Sequence, residues 1–273
     1  MRPANGPTEE LRAADAYCRM LAARHYENFT VASKLLPPPV RLDLARVYAF
    51  CRTTDDLGDE SGSRDDALAR LARWRAEVER LFAGDPPVHP VLIAVAQTIA
   101  RFSLGAQPFL DLIAANEQDQ RVASYESWDD LLAYCRNSAA PVGRMVLGIF
   151  GMGNPEAERL SDDVCIGLQL ANFAQDVARD ESLGRTYLVQ SDIRALGRAG
   201  ATQAMVVRAR DLLQSGRRLE RMAPFGLRLQ LALYRLGGLA ICDAIAAIGY
   251  RTDLERPTVS KRTKLGLVMR AAF

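Results

Sequence analysis

Histidine is nearly absent from this 273-residue chain: His25 and His89 are the only two. The five cysteines, at 18, 51, 135, 165 and 242, are scattered and form no C-x-x-C pair. A zinc centre draws on clustered Cys and His, so none is expected. The spacing offers no disulfide framework either, and a reduced, cytosolic protein fits best. There is no excess of charge. Lys and Arg total 35 against 33 acids, a net charge of +2, and the bases, nearly all Arg, are dispersed without interleaved aromatics. That argues against a nucleic-acid footprint. The opening "MRPANGPTEE" lacks the apolar core of a signal peptide. No uninterrupted apolar run reaches the ~18 residues of a membrane span, and the nearest, "LGGLAICDAIAAIGY", is cut by Asp243. A soluble protein is expected, which leaves room for peripheral contact with a membrane surface. No protein partner is evident.

Strand signals are missing as well. Apolar residues recur at helical spacing almost throughout, without alternating β-branched runs. With 49% hydrophobic residues, the chain has material for a large core. Pro and Gly clusters cut it into about ten helices. "LPPP" (36–39) separates the first two, "GSRDD" opens a third, and Asn154 with Pro155 reads as an N-cap and first helical residue. No linker is long or distinct enough to mark a domain boundary. The expectation is an all-α fold, one domain over 1–273, without repeats. Pro141, inside "YCRNSAAPVGRMVLGIF", is read as either a kink or a helix break.

Against this background "CRTTDDLGDE" (51–60) stands out. It crowds Asp55, Asp56, Asp59 and Glu60 onto the end of an apolar segment. Asp55 and Asp59 project about 40° apart on a helix, with Tyr48 and Arg52 on the same side. A solvated helix end explains this poorly, because acids there oppose the helix dipole. A second segment, "LQLANFAQDVARD" (168–180), places Gln169, Asn172, Asp176 and Asp180 within about 80° of arc on a helix. Leu170, Phe173 and Val177 lie to one side as core.

Two ladders of carboxylate and amide oxygens without His or Cys select hard cations, above all Mg²⁺. Mg²⁺ bridges a few carboxylates to phosphate oxygens. The chain has no EF-hand and no P-loop, and "GMG" (151–153) lacks the third glycine of a dinucleotide fingerprint. A Mg²⁺–diphosphate site within apolar helices suggests an isoprenoid diphosphate substrate, whose tail needs such a pocket.

At this point the residues resemble a known family, the squalene and phytoene synthases, over nearly the whole chain. The matching blocks are "HYENFTVASKLLP" (25–37), "VYAFCRTTDDLGDE" (47–60), "YCRNSAAPVGR" (134–144), "GLQLANFAQDVARDESLGRTYL" (167–188) and "GYRTDLERPTVSKR" (249–262). The resemblance implies an isoprenoid synthase fold, a single helical bundle around a central cavity. It implies that Asp55 and Asp59 hold Mg²⁺ on one wall, with Asn172, Asp176 and Asp180 opposite. His25, Tyr48, Arg52 and Gln169 match positions near the diphosphate. Arg185 and Tyr187 fall in a loop that closes over it. Tyr134 matches a tyrosine tied to the chemistry, and Tyr250, Lys261 and Arg262 match tail residues that reach the phosphate. Phe29 and Phe173 are read as cavity walls.

Departures refine the expectation. Condensing members typically carry Arg-Asp in the second ladder, whereas this chain has Gln175-Asp176. "HYENF" with "NFxQDV" resembles the bacterial hydroxysqualene synthase branch, which implies presqualene diphosphate and water as substrates. Tyr134, Asn137 and Gln175 are candidates to position that water. The chain shows no counterpart of the membrane anchor of eukaryotic squalene synthases. Two other functions stand beside this one: condensation of two farnesyl diphosphates, and a non-catalytic acidic helical protein that binds cations.

Overall fold

The computed structural model describes residues 8–272 except 26–35, and omits the side chains of residues 24, 25, 261 and 272. The expectations for the side chains of His25 and Lys261, and for Tyr26 and Phe29, therefore lie outside the described residues. Twelve helices account for most of the described chain. The extended contact is an isolated bridge between Ser124 and Thr186. The all-α class is as the periodicity predicts.

The chain forms two compact units, residues 1–120 with 145–151 and residues 121–144 with 152–273. In the first, α1 (Glu9–His25), α2 (Pro38–Asp59), α3 (Arg64–Ala83), α4 (Pro90–Phe102) and α5 (Gln107–Asp119) enclose an apolar core. Their ends follow local chemistry. Ser63 caps α3 by accepting from the Asp66 amide, and Gly84 closes it in the left-handed conformation. Phe50 of α2 lies at the centre, edge-on to Phe109 at 4.9 Å and stacked on Trp74 at 5.7 Å. His89 is the N-cap of α4, its Nδ1 accepting from the Val91 amide at 3.2 Å.

A buried polar knot ties three of these helices together. Arg46 of α2 donates to both oxygens of Asp15 on α1, at 2.8 and 3.0 Å. It also reaches Asp43 at 3.2 Å, and Asp43 accepts from Thr98 and Arg101 of α4, each at 2.9 Å. Asp43 is 1% exposed, so its charge depends on these donors.

The second unit contains α6 (Trp128–Ser138), the start of α7 (Ala140–Ile149), α8 (Pro155–Gln175), α9 (Val177–Ser182), α10 (Gln190–Met222), α11 (Phe225–Ala247) and α12 (Lys261–Ala272). α8 packs against α10 and α11. Asn154 caps α8 as expected, accepting from the Ala157 amide at 3.0 Å. Pro141 lies in the first turn of α7, after α6 has ended at Ser138. It marks a helix break, where its missing N–H is not needed. α11 is long and apolar enough by length and composition to cross a membrane, and half of its most apolar stretch is buried within the structure.

Candidate active site

The first ladder occupies the last turns of α2. Asp55 is half-buried and Asp59 exposed. Asn116 of α5, itself buried, donates Nδ2 to Asp55 Oδ1 at 3.3 Å and to the Leu112 carbonyl at 3.1 Å. One turn on, Gln120 donates to the Gly58 carbonyl at 3.3 Å. Gly58 permits this approach: a Cβ there would lie 3.2 Å from Asn116 Oδ1 and 3.3 Å from Gln120 Nε2. Burial pushes the Asp55 carboxyl up to about 6, with the Asn116 hydrogen bond opposing and the Asp59 charge reinforcing the rise. The geometry therefore holds a carboxylate where burial and a like charge disfavour it, and a cation would relieve both. Arg52, predicted to lie near a diphosphate, pairs with Asp56 and more loosely with Glu60 at 3.7 Å. Tyr48 is half-buried one turn before it.

The second ladder lies where α8 gives way to α9. The expectation of one helix over 168–180 needs correction. α8 ends at Gln175, and Asp176 is a non-helical junction with φ −102° and ψ 18°. The amides of Asp176 and Asp180 still reach the carbonyls of Asn172 and Asp176 at 2.9 Å, so the four-residue rhythm survives the break. Gln169 and Asp180 are half-buried and Asn172 is exposed. Gln175 is buried and donates Nε2 to the Pro257 carbonyl at 2.7 Å. Asp176 is held by Arg256, which contacts both carboxylate oxygens.

Beside this ladder lies a stack of buried rings. Phe173 and Tyr187 are nearly parallel, 3.8 Å apart at 6°. Tyr134 stacks on both, at 6.3 and 5.9 Å, and Tyr125 lies 5.3 Å from Tyr134. The segment carrying Arg185 and Tyr187 is fastened to 123–126, with the Thr186 amide on the Ala123 carbonyl at 2.7 Å. Arg185 is half-buried, its amide on the Asp180 carbonyl at 2.9 Å. Tyr250 holds φ 61° beside Gly249 at φ 64°, a left-handed pair that turns the chain after α11 and is unfavourable for a bulky residue. Arg262 is exposed in the first turn of α12.

Sequence reasoning passed over Asn116, Gln120, Tyr125 and Arg256. Arg256 lies within the tail block "ERPTVSKR", and no sequence signal ties it to Asp176, 80 positions away. The two amides carry no motif at all.

The family model of squalene/phytoene synthase matches residues 22–263. The chain belongs to the squalene/phytoene synthase family. Among curated relatives it is 32% identical to a phytoene synthase of Arthrospira platensis over 66% of this chain and 63% of that protein. It is 29% identical to phytoene synthase 3 of Zea mays over 93% of this chain and 64% of the relative. The chain thus spans under two thirds of the length of both. Among solved structures, squalene synthase HpnC from Alicyclobacillus acidocaldarius is 44% identical, with a TM-score of 0.83 over 89% of this chain and 97% of that one. A dehydrosqualene synthase shares the fold at a TM-score of 0.87 and 22% identity.

As a member of the squalene/phytoene synthase family the chain has the isoprenoid synthase fold, and that family uses a divalent metal to ionise diphosphates. Among the described residues no three His, Cys, Asp or Glu side chains converge as a preformed metal cage. An all-oxygen donor set with few carboxylates still fits Mg²⁺, which retains waters and takes its remaining ligands from substrate phosphate.

Proposed function

We propose that this chain converts presqualene diphosphate and water to hydroxysqualene and diphosphate. The observation that carries the reading is Gln175. Where condensing members of the family typically place a guanidinium, this chain has a buried neutral amide, bonded to the Pro257 carbonyl at 2.7 Å. A site for one diphosphate needs fewer cations than a site for two. The 44% identity to squalene synthase HpnC also supports a reaction on the squalene side of the family.

Asp55 and Asp59, and Asn172, Asp176 and Asp180, would hold Mg²⁺. Bound there, the metal neutralises the charge that builds on the departing diphosphate oxygens. The protein's own part is to orient and exclude. Asn116 fixes the Asp55 carboxylate. Phe173, Tyr134 and Tyr187 present buried aromatic faces that keep water out and steady positive charge on carbon. The carbon–oxygen bond to diphosphate breaks, the cyclopropylcarbinyl cation rearranges, and one water adds its oxygen and gives up a proton to the released diphosphate. Tyr134, Asn137 and Gln175 remain the candidates for positioning that water, although the Gln175 Nε2 already has a backbone partner. The reaction suits a cytoplasmic protein that touches a membrane when it releases its product.

A second reading, condensation of two farnesyl diphosphates, is favoured by one observation. Arg256 brings a guanidinium to Asp176 from the tail and so restores a cation near position 175. Incubation with Mg²⁺ and either presqualene diphosphate or farnesyl diphosphate, without a nicotinamide cofactor, separates the two. Hydroxysqualene from presqualene diphosphate alone is the expected result. Presqualene diphosphate or squalene from farnesyl diphosphate would replace the proposal with the condensing one. The non-catalytic reading predicts no product from either substrate.

A further inference from the structure

We propose that Arg256 is a resident counter-cation for the second ladder, which Mg²⁺ must displace from Asp176, so that the tail sets the metal affinity of the site. The inference rests on the reading of Asp176 as a metal ligand. It deepens that reading by naming what the ligand holds before metal arrives.

Three observations carry it. The Arg256 guanidinium contacts both Asp176 oxygens, through Nε to Oδ1 and through Nη2 to Oδ2 at 3.3 Å. Both oxygens that would face a metal therefore have a cation on them. Second, the approach is built from the backbone. Pro257 is buried and its carbonyl accepts from the buried amide of Gln175 at 2.7 Å. The residue preceding Asp176 thereby anchors the residue following Arg256, and the guanidinium is delivered to one carboxylate. Third, the pair is asymmetric in exposure: the Arg256 side chain is 51% exposed and that of Asp176 18%. The arginine covers a recessed carboxylate from the solvent side. Such a half-solvated pair is weak enough to exchange, while a carboxylate left bare there would carry an uncompensated charge.

Exchange is a one-for-one trade of cations. The guanidinium leaves Asp176 for water as hydrated Mg²⁺ takes its place, and the Gln175–Pro257 anchor stays made. The consequence is a threshold. Mg²⁺ alone competes with Arg256, whereas Mg²⁺ arriving with a diphosphate brings extra ligands of its own and displaces it more readily.

The test is calorimetric titration of Mg²⁺ alone into the full chain and into Arg256→Gln, Arg256→Lys and Asp176→Asn. Alongside, the arginine Nε–Hε resonances are followed by NMR, with that of Arg256 assigned by its loss in Arg256→Gln. The proposal expects Arg256→Gln to bind Mg²⁺ about fivefold or more tightly, and Arg256→Lys to fall between it and the native chain. It also expects the Arg256 resonance to shift toward its solvated position as Mg²⁺ saturates. Unchanged or weaker Mg²⁺ binding by Arg256→Gln, with loss of binding in Asp176→Asn, would overturn the counter-cation alone. Equal binding by Asp176→Asn and native protein would remove Asp176 from the metal site and take the proposal with it. Circular dichroism of all three variants keeps a folding defect from passing as either result.

Discussion

The rings of Phe173 and Tyr187 lie face to face, 3.8 Å between centroids and 6° from parallel. One comes from the second ladder's helix and the other from the segment after α9, and both are buried. The stack therefore fastens the segment that follows the ladder onto the helix that begins it. Phe173→Ala removes the platform and leaves a cavity, with an expected loss of about 3 kcal/mol. Tyr187→Phe keeps the ring, and its melting temperature should stay within a few degrees of native. Urea unfolding of both variants checks this, and product analysis shows whether the hydroxyl has a chemical part: a loss of turnover in Tyr187→Phe without loss of stability would assign it one.

Asp55 gives a pH-dependent prediction. Its folded pKa of about 6 lies above the ordinary carboxyl value of 3.8, so the folded protein holds this proton more tightly than the unfolded chain. The group's contribution is thus most favourable below about pH 4 and is lost as pH rises through 6. A shift of this size corresponds to about 2–3 kcal/mol. Asp55→Asn escapes the penalty. In chelator, it should be more stable than native at pH 7.5 by up to about 2 kcal/mol, with the difference gone near pH 4, while turnover falls at least ~100-fold. Denaturant titrations at the two pH values measure it.

Arg46 predicts the opposite balance, a large structural effect away from the chemistry. It donates to Asp15 at 2.8 and 3.0 Å and to Asp43 at 3.2 Å. Arg46→Ala strands buried carboxylates and should destabilise by about 3–5 kcal/mol. A double variant that also neutralises Asp15 should recover part of that loss. Unfolding curves for the single and double variants decide it.

Gly58 links the first ladder to its support. An alanine there would press on Asn116 and Gln120 at 3.2 and 3.3 Å, and the amides must shift by a few tenths of an ångström. In Gly58→Ala the crowding is set against the helix-propensity gain of about 1 kcal/mol, so stability should change by less than about 1 kcal/mol, while the partner that holds Asp55 moves and turnover falls about tenfold. Parallel thermal melts and rate measurements would show the effect on rate exceeding the effect on stability.

Much of this was legible in the chain itself. Helical periodicity fixed the class, and Asn154, Pro155 and the "GSRDD" turn announced helix starts because capping acts over three or four residues. The oxygen ladders were readable for the same reason, since residues four apart on a helix share a face. What failed locally failed at Asp176, where a non-helical junction ends one helix and begins another, although the four-residue spacing of the sequence runs through it.

The tertiary structure alone decided the partners. Asn116 meets Asp55 across 61 positions and Arg256 meets Asp176 across 80, and the stack of Phe173 on Tyr187 depends on how a loop is fastened to 123–126. Periodicity encodes which residues of one helix lie side by side. It carries no term for which distant segment the fold brings against them, and burial, pairing and pKa are set by that second choice. The sequence by itself determined the helical class, the two rows of oxygen-bearing side chains and the family; only the folded chain determined that one row rests on an amide and the other on an arginine.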